Sequence, residues 1–261
     1  MDTVVIQSFR TENIPAWIER CIASVRSWAE LRNWTYRFYG DEFLDLVPDW
    51  YRSRAGGRLP IIADLGRLLA ARKLLEEGEK RVAWVDADVL VFAPDRLVFE
   101  DKNGYAFARE IWVQPSDKSG MLKAYRNVHN AVCVFERGNA MLDFYIHACE
   151  RVLSRVDGGV PNQVVGPKLL TALHNIIGFE LIETVGMVSP LVARDLVAGG
   201  GPALDRLRAE CPVPLAAVNL CGSLVGQETD GVFVDDHLLD GVVDQLLARP
   251  ASIVGKPDMD S

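Results

Sequence analysis

Two carboxylates one residue apart, Asp86 and Asp88, stand at the end of the apolar run Val82–Val85 and are followed at once by a second apolar run, Val89–Phe92. Side chains two apart on extended backbone point to the same side, so both can converge on one hard divalent cation. Like charges this close are unfavourable when buried unless a metal or a shared proton compensates. The plain alternative is a turn with two solvated aspartates, since turns favour Asp. Upstream, Asp64 and Arg67 lie three apart in a segment of helical periodicity and share a face. A guanidinium just ahead of a strand that ends in carboxylates suits bidentate contact with phosphate oxygens. A weak surface ion pair is the competing reading.

Further along, Asn219 follows the apolar stretch Leu215–Val218, and Ser223 lies four residues on, beside Gly222. Both offer neutral oxygens, and a cation held by two aspartates needs more oxygen ligands than those two supply. Capping of a local turn is the alternative for this pair. The four histidines, His129, His147, His174 and His237, show no ligand spacing and read as structural. Trp50 and Trp112 fall in stretches without clear periodicity and are candidates to stack on a base or a sugar, whereas the other tryptophans read as core.

Residues of this kind need strand ends set beside helix starts. The 261 residues carry 28 Lys+Arg against 36 Asp+Glu, a formal net charge of −8, with 49% hydrophobic and 25% charged residues. That is the composition of a packed globular chain, and its acidic balance argues against nucleic acid or an anionic membrane surface as the main partner. No run approaches ~18 uninterrupted apolar residues, so no transmembrane segment is expected, and no secretory signal pattern opens the chain. Five cysteines without paired spacing read as free thiols in a reducing, cytoplasmic setting.

Short apolar runs alternating with amphipathic segments predict an α/β fold. Strands are expected at Thr3–Gln7, Thr35–Tyr39, Val82–Val85, Tyr105–Ala108, Ala131–Phe135 and Phe179–Glu183. Helices are expected across Ile14–Trp28 and at Ile61–Glu77, Ala140–Leu153, Lys168–Asn175 and Asp236–Ala248, where apolar residues recur at helical steps. Gly199–Gly201 predict a flexible loop rather than a phosphate cradle. No linker or repeat divides the chain, so residues 1–249 are expected to form one domain and 250–261 a frayed tail.

Two chemistries use a strand-end Asp-X-Asp: cation-dependent transfer from a nucleotide-sugar, and phosphate-ester hydrolysis of the haloacid-dehalogenase type. The second would make Asp86 the nucleophile, Asp88 the acid/base, Lys168 the phosphate cation and Asp235-Asp236 the second acidic pair. The surroundings resemble the first. Ala63-Asp64-Leu65-Gly66-Arg67-Leu68-Leu69, then Leu74-Leu75, then Asp86-Ala87-Asp88, is similar to the conserved block of glycosyltransferase family 32, the mannosyl- and galactosyltransferase-like group related to glucosylating toxins, and more distantly to family 8. Val4–Gln7, Ile14–Trp17, Trp34–Asp41, Val128–Ala131 and Gly166–Thr171 extend the resemblance over about residues 4 to 225. The group's C-terminal Ser-Trp stands here as Ser223-Leu224, without the Trp.

The resemblance implies a single-domain GT-A-like Rossmannoid fold with a mostly parallel mixed central sheet flanked by helices. It implies a Mn²⁺- or Mg²⁺-dependent hexosyltransferase that uses a UDP- or GDP-sugar and retains anomeric configuration. The acceptor is left open among glycan, lipid-linked sugar, small molecule and protein. Gln7 and Ser8 are expected near the base; Asp64, Arg67, Asp86, Asn130 and Gly166 near the sugar and diphosphate; and Asp86, Asp88, Asn219 and Ser223 around the metal. Asp86, Asp88 and Arg67 would serve catalysis. The missing Trp keeps a catalytically silent sugar-nucleotide binding module as an alternative.

Overall fold

The computed structural model describes residues 2–99, 103–116, 121–156, 161 and 163–253. The first half runs β1 (Thr3–Ser8), α1 (Ala16–Leu31), β2 (Thr35–Tyr39), a 3₁₀ segment (Asp41–Leu46), α2 (Asp49–Ala55), α3 (Leu59–Glu76), β3 (Arg81–Val85) and β4 (Val89–Val91). Then come β5 (Tyr105–Pro115), β6 (Leu122–Glu136), α4 (Ala140–Arg155), α5 (Pro167–Ile177), β7 (Leu181–Ile182) and β8 (Val185–Met187). The remainder is α6 (Pro190–Val197), α7 (Pro202–Glu210), β9 (Ala217–Asn219), β10 (Gln227–Thr229), β11 (Val232–Val234) and α8 (Asp236–Ala248).

The fold is α/β, a mixed central sheet flanked by helices, as expected. Six strands lie in the order β2-β1-β3-β6-β5-β7, with β1 parallel to β2 and β3, β6 antiparallel to β3 and β5, and β7 parallel to β5. Alternation along the strands fills both faces. Val4, Ile6, Val82, Trp84, Phe107 and Phe135 pack with α3 and α4, while Val5, Ala83, Val85, Ala106 and Val134 pack with α1 and the small sheet β4-β9-β8. A strand buried on both faces carries apolar residues at successive positions, so Val4–Ile6 of β1 and Val82–Val85 of β3 read as short unbroken apolar runs. The other side of α1 packs on α8 and shares a core cluster with α6 and α7.

The structure adds elements that were not expected, the helices α2, α6 and α7 and the short strands β8, β10 and β11, and it lengthens β5 and β6. Both run far beyond the predicted Tyr105–Ala108 and Ala131–Phe135, pairing from Tyr105↔Phe135 to Pro115↔Leu122 with a register shift between Phe107 and Ala108. Arg109, Glu110 and Gln114 on one strand and Lys123, Arg126, Asn127, His129 and Asn130 on the other break the apolar runs, so a search for continuous apolar runs passes over these half-buried stretches. Because β3 pairs with β6 only from Val132 to Glu136, residues 122–131 of β6 and their β5 partners project past the C-terminal end of β3.

Gly199–Gly201 also differ from expectation. They form a tight helix–helix turn in which Gly199 and Gly200 donate to the carbonyls of Leu196 and Asp195. The Asp195 carboxylate accepts from the N–H groups of Ala203 at 2.7 Å and Leu204 at 3.3 Å, capping α7. A Cβ at Gly201 would collide with that carboxylate, so the glycine serves close approach rather than mobility. Of the segment 250–261, Pro250–Ile253 form a 3₁₀ turn that buries Ile253, and residues 254–261 lie outside the described residues.

Candidate functional site

β3 ends at Val85 and delivers Asp86 to the edge of the sheet, where its N–H donates to Ala131 O at 2.7 Å. Trp84, one residue inside the strand, turns its indole N–H back onto Asp86 Oδ1 at 2.6 Å. Arg67 supplies the charge. Its Nη1 lies 3.2 Å from Asp86 Oδ1 and 3.3 Å from Oδ2, and its Nη2 lies 3.3 Å from Asp64 Oδ1. The same guanidinium donates to Asn130 O at 2.7 Å and to Ala63 O at 3.3 Å, with its carbon 5.4 Å from the Trp84 ring centroid. Asn130 closes the group by donating to Asp64 Oδ1 at 2.7 Å. Arg67 is 6% exposed, and a buried charge must be paired from within. The fork expected on phosphate oxygens therefore spends its donors tying α3 to β3 and β6.

Asp88 has a separate clamp. Register in the small sheet sets Val89 opposite Asn219, so Asn219 Nδ2 reaches Asp88 Oδ1 at 2.7 Å. Asn219 Oδ1 accepts from Cys221 N at 2.7 Å, which bends the chain so that Gly222 N–H meets Asp88 Oδ2 at 2.8 Å. Cys221 takes φ 54°, a left-handed conformation that costs a non-glycine residue of order 1 kcal/mol. A Cβ on Gly222 would lie 2.9 Å from the Trp17 ring and 3.3 Å from Asp88 Oδ2. The amide of Asn219 therefore points its nitrogen, not its oxygen, at Asp88. The Asn219 oxygen, expected among the metal's ligands, instead accepts from Cys221 N–H.

Both aspartates, with Asp64, Arg67, Asn130, Lys168, Asn219 and Ser223, line one cavity of about 910 Å³. Beyond these, of the wall built by the β5–β6 ribbon only Trp112 was anticipated from the sequence. Glu110, Trp112 and Gln114 of β5 and Tyr125 and Asn127 of β6 all face into it. Their spacing of two along each strand was the available signal. Gly166 is not on the lining, but it permits it: a Cβ there would lie 2.7 Å from Asp64 Oδ2.

Other expected site residues lie elsewhere. Gln7 is fully buried; it accepts from Tyr36 OH at 2.9 Å and donates to Asp86 O at 3.1 Å, bracing the turn rather than reaching a base. Ser8 donates to Gly40 O at 3.3 Å and is off the lining. Trp50 is 43% exposed on α2 and away from the cavity, whereas Trp112 lines it. Asp235 caps α8 through Leu238 N–H and Asp236 accepts from the Trp17 indole at 2.7 Å, so neither forms a second acidic pair beside Asp86. All five cysteines are free thiols, and His129 is held neutral, pushed down to about 3 chiefly by burial.

Burial raises every carboxylate of the site. Asp64 is pushed up to about 6 by burial, against the pull of Arg67 and Asn130. Asp88 reaches about 6 through burial and the charge of Asp86, opposed by Gly222 N–H, and Asp86 is raised by burial despite Arg67 and Trp84. Among the described residues four lining carboxylates, Asp64, Asp86, Asp88 and Glu110, stand against two lining cations, Arg67 and Lys168. Among the described residues no group of three or more His, Cys, Asp or Glu could hold a metal. Two carboxylates with remaining positions left to ligand and water oxygens is nevertheless a usual donor set for a small hard cation bound with phosphates. The donor set fits such a cation.

A pH dependence follows. In the unfolded chain these groups titrate near 4, whereas Asp64 and Asp88 titrate near 6 when folded. Between those values the folded state holds the extra protons, so their contribution to the stability of the metal-free protein falls as pH rises through that window. A cation needs the carboxylates ionised, so its stabilising effect must grow over the same window. The thermal shift given by Mn²⁺ is expected to be small near about pH 5 and larger near about pH 7. A Mn²⁺ shift that does not change with pH would remove Asp88 from the cation.

No protein-family model matches the chain, and no curated protein matches it. Among solved structures it is similar to a glycosyltransferase involved in the glycosylation of the major capsid of PBCV-1, at 10% identity over 92% of this chain and 98% of that chain, with a TM-score of 0.46. It is also similar to a Drosophila β-1,4-galactosyltransferase 7 mutant in complex with manganese, UDP-Gal and xylobiose, at 8% identity over 69% of this chain and 76% of that chain, with a TM-score of 0.29. No helix among the described residues is long and apolar enough to cross a membrane.

Proposed function

We propose that this protein is a metal-dependent glycosyltransferase, a hexosyltransferase that moves a sugar from a UDP- or GDP-sugar to an acceptor hydroxyl. The observation that carries the reading is the pair Asp86/Asp88, held by two independent clamps at a strand end in a cavity of about 910 Å³. A diphosphate entering a cavity with more carboxylates than cations needs a divalent ion between them. Asp88 and Asp86 would hold Mn²⁺ or Mg²⁺, which when bound offsets negative charge on the departing diphosphate.

The chain's own residues then divide the work. Arg67 and Trp84 fix the Asp86 carboxylate, Asn219 and Gly222 fix that of Asp88, and Lys168 offers a flexible cation to the phosphates. Ser223 lines the cavity and keeps its hydroxyl as a candidate oxygen ligand. Asp64 is engaged by Arg67 and Asn130, which disfavours it as a covalent nucleophile. Front-face transfer with retention, in which the leaving diphosphate takes the proton of the incoming hydroxyl, suits such a site. The phosphatase alternative lacks its second acidic pair. We further take residues 1–249 as one catalytic domain and, from its five free thiols, the cytoplasm as its setting.

The test is a thermal-shift panel of UDP, GDP and their sugars with and without Mn²⁺. A nucleotide that stabilises the chain only when the metal is present is the expected result. Stabilisation by inorganic phosphate alone, with release of phosphate from esters, would replace this reading with the phosphatase.

A further inference from the structure

We propose that the acceptor is a saccharide, laid along the projecting β5–β6 ribbon with a sugar ring against Trp112 and Tyr125 and a hydroxyl donating to Glu110. The inference rests on the transferase reading above and supplies the acceptor class which that reading leaves open.

The ribbon has two unlike faces. Ile111 and Val113 point into the core beside Leu122 and Ala124, which fixes the inward register. The alternate positions face the cavity, and cross-strand pairing sets Glu110 opposite Asn127 and Trp112 opposite Tyr125, with Gln114 next along β5. Two half-buried rings are thus adjacent, with Glu110 and Asn127 on one side and Gln114 on the other, where its cross-strand partner Lys123 places Nζ 4.5 Å from the Tyr125 ring centroid. From Glu110 to Gln114 this face extends about 13 Å, room for more than one pyranose ring.

Glu110 is the residue that packing alone does not explain. It is 8% exposed, its carboxyl is raised by burial, and among the described residues its hydrogen-bond partner is Asn127 Nδ2 at 2.7 Å, with no cation beside it. A buried carboxylate with one amide partner is costly, and it is placed to accept from a ligand hydroxyl. Beside Trp112 that charge disfavours the anionic part of a nucleotide, and with Lys123 over Tyr125 at the other end the two rings together suit a neutral, hydroxyl-rich ligand. An alkyl chain would leave Glu110, Gln114 and Asn127 unsatisfied. A pyranose matches both requirements: its C–H face lies on aromatic rings and its hydroxyl edge meets carboxylate and amides.

The test is saturation-transfer NMR on the full chain with UDP or GDP and Mn²⁺, using methyl hexosides and their disaccharides, a Ser/Thr-containing peptide and a short-chain alcohol as probes. Saturation should reach the ring protons of at least one saccharide and not the peptide or the alcohol. Trp112→Ala and Tyr125→Ala should weaken that binding about tenfold, and Glu110→Gln should weaken it while the nucleotide–Mn²⁺ thermal shift stays. Trp112→Phe, compared with Trp112→Leu, separates a ring requirement from a folding defect: Phe should bind and Leu should not.

Saccharide signals that survive Trp112→Ala and Tyr125→Ala, or saturation of the peptide instead, overturn the proposal. Loss of the nucleotide–Mn²⁺ shift in Trp112→Ala, with Trp112→Phe normal, would give the rings to the base and overturn it as well. Nucleotide–Mn²⁺ stabilisation without any saccharide signal defeats the saccharide assignment alone. Saccharide binding without nucleotide–Mn²⁺ stabilisation defeats the transferase reading and leaves a sugar site.

Discussion

Replacing Asp88 by Ala is expected to abolish metal-dependent nucleotide binding and to lower turnover by about 10²-fold or more, while the chain stays folded. Asp88 contributes nothing apolar to the core. Its carboxylate is raised to about 6 by burial, so near neutral pH the folded state carries it ionised at a disadvantage that removal relieves. Against that gain, Asn219 Nδ2 and Gly222 N–H lose their acceptor, at about 1–3 kcal/mol if they stay dry. The two effects oppose each other, and the melting temperature should move little. The measurements are the Mn²⁺-dependent thermal shift with UDP or GDP, and turnover once a donor is in hand. A variant that keeps both, with metal still required, would take Asp88 out of the site.

Arg67→Lys should reduce metal affinity or turnover about tenfold or more, although it conserves charge. One planar fork reaches Asp64 on its own helix, Asp86 at the end of β3 and Asn130 O on β6. An ammonium on a flexible stem cannot meet all three, so Asp86 loses its fixed orientation. Arg67→Ala goes further by leaving two carboxylates without their buried cation, and should cost about 3–5 kcal/mol of stability. The pair of variants separates the roles. If Arg67→Lys keeps full metal affinity and only Arg67→Ala loses stability, Arg67 supports the fold and does not position Asp86.

Most of the frame was legible in the sequence because its signals are local. The apolar runs of β1 and β3 and the three- and four-residue steps of α1 reflect burial on both sheet faces and on one helix face. α8 lies where predicted, and its capping aspartate, Asp235, immediately precedes it. Asp86 and Asp88 could be picked out because their spacing and their place after a strand fall within a single short window. The long ribbon was not legible in the same way: its polar positions interrupt the apolar signal, and only pairing between β5 and β6 reveals them as one cavity wall.

What sequence alone determined was which residue types stand where strands end: two carboxylates after β3, an Asp and an Arg one helical turn apart on α3, and an Asn closing β9 with a Gly three residues on. What only the tertiary structure decided was how those groups are spent. Arg67 faces carboxylates rather than open space, Asn219 turns its nitrogen to Asp88 and its oxygen to Cys221, and Gln7 disappears beneath the turn it braces. The reason is physical. Hydrogen-bond direction and charge pairing among buried groups depend on which side chains arrive from distant segments, and 131 residues separate Asp88 from Asn219. Spacing fixes which face a residue takes along its own element, but the partner it meets there is set by packing.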